Sequence, residues 1–423
     1  MPDLVPRNLL GFGRDALSAF PVAVVQGARQ VGKSTFAGML LAGRPAREFT
    51  LDDSQTADAA RNDPQGFIEQ FPGHTVLIDE LQRQPELLLA IKASVDRDRR
   101  PGRFILTGSS DLLRLDRTPD SLAGRAVTLR LHGFSQGELT GTTDDFVTTF
   151  LDGWSPAGAS TIWTRDGYAD AVAVGGYPEL RRIPPRIRRS WIDSYLERII
   201  QRDVQDVLAM TRPERLRSVL TPIASNQAGE LVKARLATNA GLPATSITSY
   251  LDVLQTMYLI ELVPPWTPNL TRREIGRAKA IVADSAMATR LAGLTSGQLA
   301  ALTGADHLGG LLEGFVVSEL LKQQTWSATD YRLFHYRDRN GLEVDIVLEL
   351  EDGSIIGIEV KSSRTVKGEH FSGLRALQDK VGARFRGGFV VTMATTGLQH
   401  GPGLWGIPID SLWTAGSQQP RPE

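Results

Sequence analysis

At 423 residues the chain is too long for a single hydrophobic core, and about three domains are expected. Its 41% hydrophobic and 22% charged residues are those of a soluble globular protein, and a formal net charge of −1 leaves no global basic field, so any nucleic-acid contact must be local. The absence of cysteine excludes disulfides, thiol catalysis and cysteine-ligated zinc, and the six histidines show no metal-ligand spacing. Residues 1–10 lack the pattern of a signal peptide, and no apolar run approaches the ~18 residues of a membrane span, so a cytoplasmic protein without a membrane partner is expected.

An apolar run at 22–25 predicts a strand, and residues 34–37 open a helix. Between them, Gly27-Ala28-Arg29-Gln30-Val31-Gly32-Lys33-Ser34 fits the phosphate-binding pattern G-x-x-x-x-G-K-[S/T] at every fixed position. Gly27 and Gly32 let the backbone approach phosphates. The loop and the helix N-terminus, through Thr35, then point N–H groups at an anion. Lys33 is expected to reach the β- and γ-phosphates, and the Ser34 hydroxyl to ligand magnesium.

Further strands are predicted at 47–52, 75–80, 103–107 and 126–131, with helical patterns between them, so a parallel sheet with helices on both faces is expected. The strand at 75–80 ends in Asp79 and Glu80. Asp79 suits the magnesium-side acid that partners a phosphate loop, and Glu80 the residue that orients the attacking water. The next strand ends in Thr107-Gly108-Ser109-Ser110, where Ser109, ahead of Thr107, is the candidate to touch the γ-phosphate or the water. In Ser121-Leu122-Ala123-Gly124-Arg125, the arginine is either a finger toward a neighbouring subunit's nucleotide, a role worth about 10³ to 10⁵ in rate, or a surface residue opening a strand.

These blocks resemble the AAA+ class of P-loop ATPases over about the first 150 residues. More closely, Gly27–Ser34 with Leu77-Ile78-Asp79-Glu80-Leu81-Gln82, Leu106-Thr107-Gly108-Ser109-Ser110 and Leu122-Ala123-Gly124-Arg125 resemble one prokaryotic AAA+ family that carries a C-terminal domain of unknown function, DUF4143. The resemblance implies a magnesium-dependent ATPase. The expected fold is α/β: an AAA+ P-loop parallel-sheet domain at 1–150, a helical lid or linker at 151–212, a winged helix at 213–283 and a DUF4143 domain at 284–423.

In the middle, residues 152–160 read as a linker or loop. Gly175-Gly176-Tyr177-Pro178-Glu179 reads as a turn that fits the same family but suggests no chemistry. Arg181, Arg182, Arg186, Arg188 and Arg189 form either a solvated face or a nucleotide or phosphate contact, and 190–206 reads as an amphipathic helix. Helices at 216–225, 233–240 and 244–259 with a hairpin of 262–266 and 279–282 give a helix-turn-helix with a wing. Arg272, Arg273, Arg277 and Lys279 lie at or near its tip. Thr245, Ser246, Thr248 and Ser249 begin its third helix, which suits DNA phosphates better than base edges.

Toward the C-terminus a helix within 307–323, a strand at 332–336 and strands at 342–350 and 355–361 are predicted, followed by a helix at 371–381 and a strand at 387–393. Taking Asp352-Gly353-Ser354 as a three-residue loop puts Leu350 opposite Ile356, Leu348 opposite Ile358 and Ile346 opposite Val360, an apolar face. Asp345 then faces Lys361, with Glu359 diagonal. Two adjacent carboxylates call for a cation, and Mg²⁺ or Mn²⁺ on Asp345 and Glu359 would activate water for phosphoryl chemistry. Lys361 would orient or deprotonate that water, or stabilise charge. The set resembles the PD-(D/E)xK nuclease superfamily, with Asp345, Glu359 and Lys361 in the matching places and Glu313 matching the acid of its first helix. Glu343-Val344-Asp345 departs from the usual Pro-Asp.

Two functions follow. One is an ATPase that couples nucleotide state to DNA binding and metal-dependent DNA cleavage. The other is an ATP-driven switch or assembly protein whose inactive nuclease-like domain binds a partner. ATP and DNA are the expected ligands, and a homo-oligomer follows if Arg125 acts in trans.

Overall fold

Five parallel strands make the first sheet in the computed structural model, which describes residues 4–109, 122–204, 210, 212–268, 276–301, 305–338 and 341–417, without the side chains of 202, 203 and 305–307. In chain order they are β1 (Val22–Gln26), β2 (Ala46–Thr50), β3 (Thr75–Asp79), β4 (Phe104–Gly108) and β5 (Ala126–Arg130), and across the sheet they run β2-β3-β4-β1-β5. Each expected strand is found within two residues of its expected ends. Strands buried on both faces read as continuous apolar runs, and alternate residues divide between two cores. Val22, Val24, Val76, Ile78, Phe104 and Leu106 join the helix Leu87–Arg97 on one face. Ala23, Val25, Leu77, Ile105 and Leu129 join the helices Leu10–Ala19 and Lys33–Leu41 on the other. The second core runs on without a break to Trp413.

The middle segment is mainly helical. Pro185 starts the helix Pro185–Arg198, ahead of the expected residue 190, because proline at a first helical position loses no hydrogen bond. Helices Leu216–Ser225 and Lys233–Ala240 match expectation, and the third is Ile247–Thr256. They pack with a small antiparallel sheet, β6 (Gly229–Glu230), β7 (Ile260–Val263) and β8 (Lys279–Val282), in the order β6-β8-β7. The expected hairpin is β7-β8, starting two residues earlier than read; the two-residue β6 was not foreseen. Arg272 and Arg273 lie outside the described residues.

The C-terminal sheet comprises β9 (Tyr331–Arg337), β10 (Glu343–Leu350), β11 (Ile355–Val360), β12 (Phe385–Thr392), β13 (Leu398–Gly401) and β14 (Leu404–Pro408), in the order β13-β14-β12-β11-β10-β9. Strands β9, β10 and β11 are antiparallel, and β12 is parallel to β11. The long helix Ala305–Gln324 packs on one face and the helix Ser372–Val381 on the other. Phe146 and Phe150, just after the first sheet, pack edge-on against Phe389 of β12 and tie the two sheets together.

The β10–β11 register differs from expectation by two residues. Ile346 pairs with Ile358 and Leu348 with Ile356, so Asp345 comes opposite Glu359 and Lys361 is diagonal. The turn decides this. Gly353 is left-handed at φ 77° and closes a loop of residues 351–353, with Leu350 N–H donating to Ser354 O at 2.9 Å. A three-residue hairpin loop wants its glycine in the last, left-handed place, whereas the expected loop put it in the middle. A shift of two keeps every side chain on its face, so the apolar layer of Ile346, Leu348, Leu350, Ile356, Ile358 and Val360 stands. A bulge against β9 between Val344 and Val347, also not foreseen, lies at Asp345 itself.

Candidate functional site

The phosphate loop joins the buried β1 to the helix Lys33–Leu41. A Cβ on Gly27 would stand 2.0 Å from the Leu131 carbonyl oxygen, and Gly32, left-handed at φ 96°, forms the N-cap of the helix. The buried Lys33 Nζ donates to the carbonyl of Ala28 at 3.0 Å, lying back over its own loop. Two side chains from elsewhere hold the loop's carbonyls. Arg7 donates to Val31 O at 3.2 Å and is paired with Glu138 at 3.0 Å; burial pushes its pKa down and Glu138 pushes back. Tyr195 donates to Arg29 O at 3.0 Å and is itself in hydrogen-bond contact with Tyr177. Neither Arg7 nor Tyr195 was legible as a site residue. Tyr177 belongs to the Gly175–Glu179 stretch read as a turn, in which a helix starts at Pro178, and this stretch therefore supports the loop.

Strand β4 lies between β1 and β3, so three strand ends meet beside the loop. Ser34 Oγ donates to Asp79, 3.0 Å from each carboxylate oxygen. Thr107 Oγ1 also donates to Asp79 and accepts from Glu80 N–H at 3.0 Å. Ser109 Oγ donates to Glu80 Oε2 at 3.3 Å, and Gln82 Nε2 donates both to Glu80 and, at 2.8 Å, to Ser109. Thr107 thus serves Asp79 while Ser109 serves Glu80. Gln82 lies in the Leu77–Gln82 block that carries the resemblance, but no role was read for it. Ser34 and Asp79 present only oxygen to one point, the donor set magnesium takes.

At the C-terminal sheet, Asp345 Oδ2 accepts Val360 N–H at 2.9 Å, and Asp345 N–H donates to Glu359 Oε2 at 3.3 Å. Lys361 Nζ lies 2.6 Å from Glu359 and 3.9 Å from Asp345. Glu313, on the long helix, joins them through Lys279 of β8, whose Nζ lies 2.5 Å from Glu313 and 3.5 Å from Asp345. Burial, with Asp345 beside it, pushes the Glu313 carboxyl up to about 8 and that of Glu359 to about 7. Against the cost of burial, the carboxylates hold both lysines above their ordinary pKa. Lys279 was read at a basic wing tip, but it is buried among acids. Among the described residues no group of three or more His, Cys, Asp or Glu side chains is arranged to hold a metal ion. Carboxylates at Asp345 and Glu359 suit a divalent cation chemically, but with Lys279 among them they do not fit one as arranged.

Family profiles match three blocks: an AAA domain at residues 19–140, a domain of unknown function (DUF8612) at 165–298 and a domain of unknown function (DUF4143) at 308–412. The chain carries an AAA domain and a DUF4143 domain. Uncharacterized proteins of Mycobacterium bovis and Mycobacterium tuberculosis are 28% identical over 353 residues, covering 83% of this chain and 73% of each relative. Among solved structures, the Walker-type ATPase of Pyrococcus abyssi superposes with a TM-score of 0.42 at 16% identity, covering 68% of this chain and 96% of that one. AMPPCP-bound DnaA from Aquifex aeolicus gives 0.29 at 12%, covering 58% and 86%. Both likenesses are loose, and the P-loop fold is read from the strand order itself.

Within the AAA domain, Lys33, Ser34, Asp79, Glu80 and Ser109 come together, but Arg125 does not. It precedes β5 at the opposite end of the sheet from the loop, a strand's length or roughly 15 Å away, and its Nε donates to Asp96 at 2.7 Å. Gln26, the last residue of β1, is instead reached by Tyr258, whose hydroxyl donates to it at 3.1 Å, and Arg130 pairs with Glu261 of β7. Thr245, Thr248 and Ser249 are exposed and Ser246 is half-buried; Thr245 and Ser246 precede the helix Ile247–Thr256. The DUF4143 domain brings Asp345, Glu359, Lys361 and Glu313 into one cluster. Among the described residues no helix is long and apolar enough to cross a membrane.

Proposed function

We propose that the chain is a magnesium-dependent ATP hydrolase. The observation that carries this is the Ser34–Asp79–Thr107 and Glu80–Ser109–Gln82 network at the strand ends beside the loop. Loop N–H groups from Gly27 to Thr35 and the Lys33 ammonium bind the phosphates, Lys33 leaving Ala28 to do so. Ser34 and Asp79 hold the magnesium, which when bound neutralises phosphate charge. Glu80 accepts a proton from the attacking water, oriented by Ser109 and Gln82. A cavity of about 450 Å³ beside Gly32 and Thr35, lined by Leu4, Val5, Phe36, Met39 and Arg181, has the apolar walls a purine base needs. ATP turnover tests the reading. Lys33→Ala is expected to lose ATP binding, and normal turnover by that variant would overturn the assignment.

Nucleotide state is read here as coupled to the C-terminal acidic cluster and to DNA. The order helix, β9, β10, β11, helix, β12 with Asp345, Glu359 and Lys361 supports a nuclease-like centre. Three helices with the sheet β6-β8-β7 and an exposed third-helix start support a winged-helix DNA contact. Lys279 among the acids favours the second reading for the form described here: a switch whose nuclease-like domain binds a partner without cutting. DNA cleavage with Mg²⁺ or Mn²⁺, lost in Asp345→Asn, would decide for the first reading.

A further inference from the structure

The acidic cluster of the C-terminal sheet already has a cation, and it is covalently attached to another part of the chain. Lys279 is only 8% exposed. Its ammonium faces Glu313 Oε1 and Asp345 Oδ1, while Lys361 faces Glu359 Oε1 and the other Asp345 oxygen. Three carboxylates are thus set against two ammonium groups, a formal balance of −1. A divalent ion on Asp345 and Glu359 needs oxygen ligands at about 2.0–2.6 Å, and the Lys279 ammonium already stands 3.5 Å from Asp345 Oδ1, with Lys361 3.9 Å from Oδ2 and 2.6 Å from Glu359. Like charges there would repel strongly at low local dielectric, so the lysine and a metal exclude one another.

The approach of Lys279 is built into the fold. It opens β8, where it pairs with Val263 of β7 and Glu230 of β6. Two residues earlier, the Arg277 carbonyl is held by the ring Nε2 of His335 at 2.9 Å. His335 faces the β10 bulge at Asp345 and Ile346, and its backbone also bonds Pro264 and Trp266, beyond the end of β7. The strand that delivers the lysine is therefore fastened to the site it fills. That strand pairs with β7, which follows Tyr258 and carries Glu261, the two residues that reach Gln26 and Arg130 beside the phosphate loop.

We propose that Lys279 is an internal counter-cation that closes the acidic centre to a divalent metal. The proposal rests on reading that centre as nuclease-like. The test is Mn²⁺ binding by the full-length, nucleotide-free protein, followed by electron paramagnetic resonance. Lys279→Met is expected to bind one more Mn²⁺ than wild type, at least tenfold more tightly at that site, and Lys279→Met with Asp345→Asn to lose it. Equal Mn²⁺ binding by wild type and Lys279→Met would overturn the proposal, as would no gain in the variant. A second measurement uses wild type alone: acylation of lysines read by mass spectrometry. Lys279 should react far more slowly than the exposed Lys233, both without Mn²⁺ and at a Mn²⁺ concentration that fills the extra site of Lys279→Met. Reaction at the rate of Lys233 without metal would also overturn it. Failure of manganese-loaded Lys279→Met to cut DNA would instead refute the nuclease reading, an outcome distinct from these.

Discussion

The two glycines of the phosphate loop should not fail alike. A Cβ on Gly27 would lie 2.0 Å from the carbonyl oxygen of Leu131, whereas a Cβ on Gly32 would meet nothing within 4 Å. The Leu131 segment cannot simply step aside, because its N–H donates to Gln26 O at 2.7 Å and so fixes it to β1. Gly32→Ala therefore costs only the left-handed backbone, about 1–2 kcal/mol. Gly27→Ala adds overpacking against backbone, a further ~1–3 kcal/mol. At about 2–4 °C per kcal/mol for a domain of this size, Gly32→Ala should lower Tm by roughly 4 °C and Gly27→Ala by roughly 10 °C. Both should weaken ATP binding, Gly27→Ala by at least about tenfold, which is ~1.4 kcal/mol. Thermal unfolding and titration with a fluorescent ATP analogue read the two effects. Equal Tm values for the two variants would refute the argument that the close approach to Leu131, and not backbone freedom alone, selects glycine at position 27.

Glu80→Gln should bind ATP as wild type does and hydrolyse it at least ~10²-fold more slowly; single-turnover rates within about threefold of wild type would remove Glu80 from the water-orienting role. Arg125→Ala should leave ATP turnover unchanged, since Asp96 already holds the guanidinium on the chain's own surface; a hundredfold loss would instead establish a finger acting between subunits. Burial, aided by Lys279 and Arg337 and opposed by the Arg277 carbonyl and Glu230, depresses the pKa of His335 to about 4 from the ordinary 6.5. The unfolded chain then binds the extra proton between those values, so stability is lost as pH falls from about 6.5 to about 4, by up to ~3 kcal/mol. His335→Gln keeps a donor for Arg277 and does not titrate, so its Tm should fall less than that of wild type from pH 7 to 4.5; parallel falls would refute this.

The first sheet was legible because fully buried parallel strands are continuous apolar runs, and the phosphate loop because its glycines, lysine and serine have fixed spacing. Asp79 and Glu80 followed from a strand end. What escaped was contributed from far along the chain. Arg7 meets the loop from 24 residues away and Tyr195 from 166, with no periodicity to announce either. The faces of the β10–β11 hairpin were readable from period-two alternation, but alternation cannot distinguish registers two residues apart. Only the left-handed place of Gly353 separates them. Lys279 shows the opposite failure. A lysine among arginines reads as a surface charge, and only the fold, which sets it against Glu313 of the long helix and Asp345 of β10, turns it inward.

Four described residues other than glycine have left-handed backbones: Gln30, Glu80, Ala228 and Tyr258. Three of them gather at the C-terminal end of the first sheet's strands: Gln30 in the phosphate loop, Glu80 just past β3, and Tyr258 touching the end of the loop's strand. Each such residue stores about 1–2 kcal/mol, so this end holds roughly 3–6 kcal/mol in torsion. Turning a two-state equilibrium from 1:99 to 99:1 takes about 5.5 kcal/mol. The nucleotide end of the molecule is therefore wound like a spring of about the right size. A nucleotide would shift such an equilibrium only by as much as it favours one arrangement of these backbones over the other.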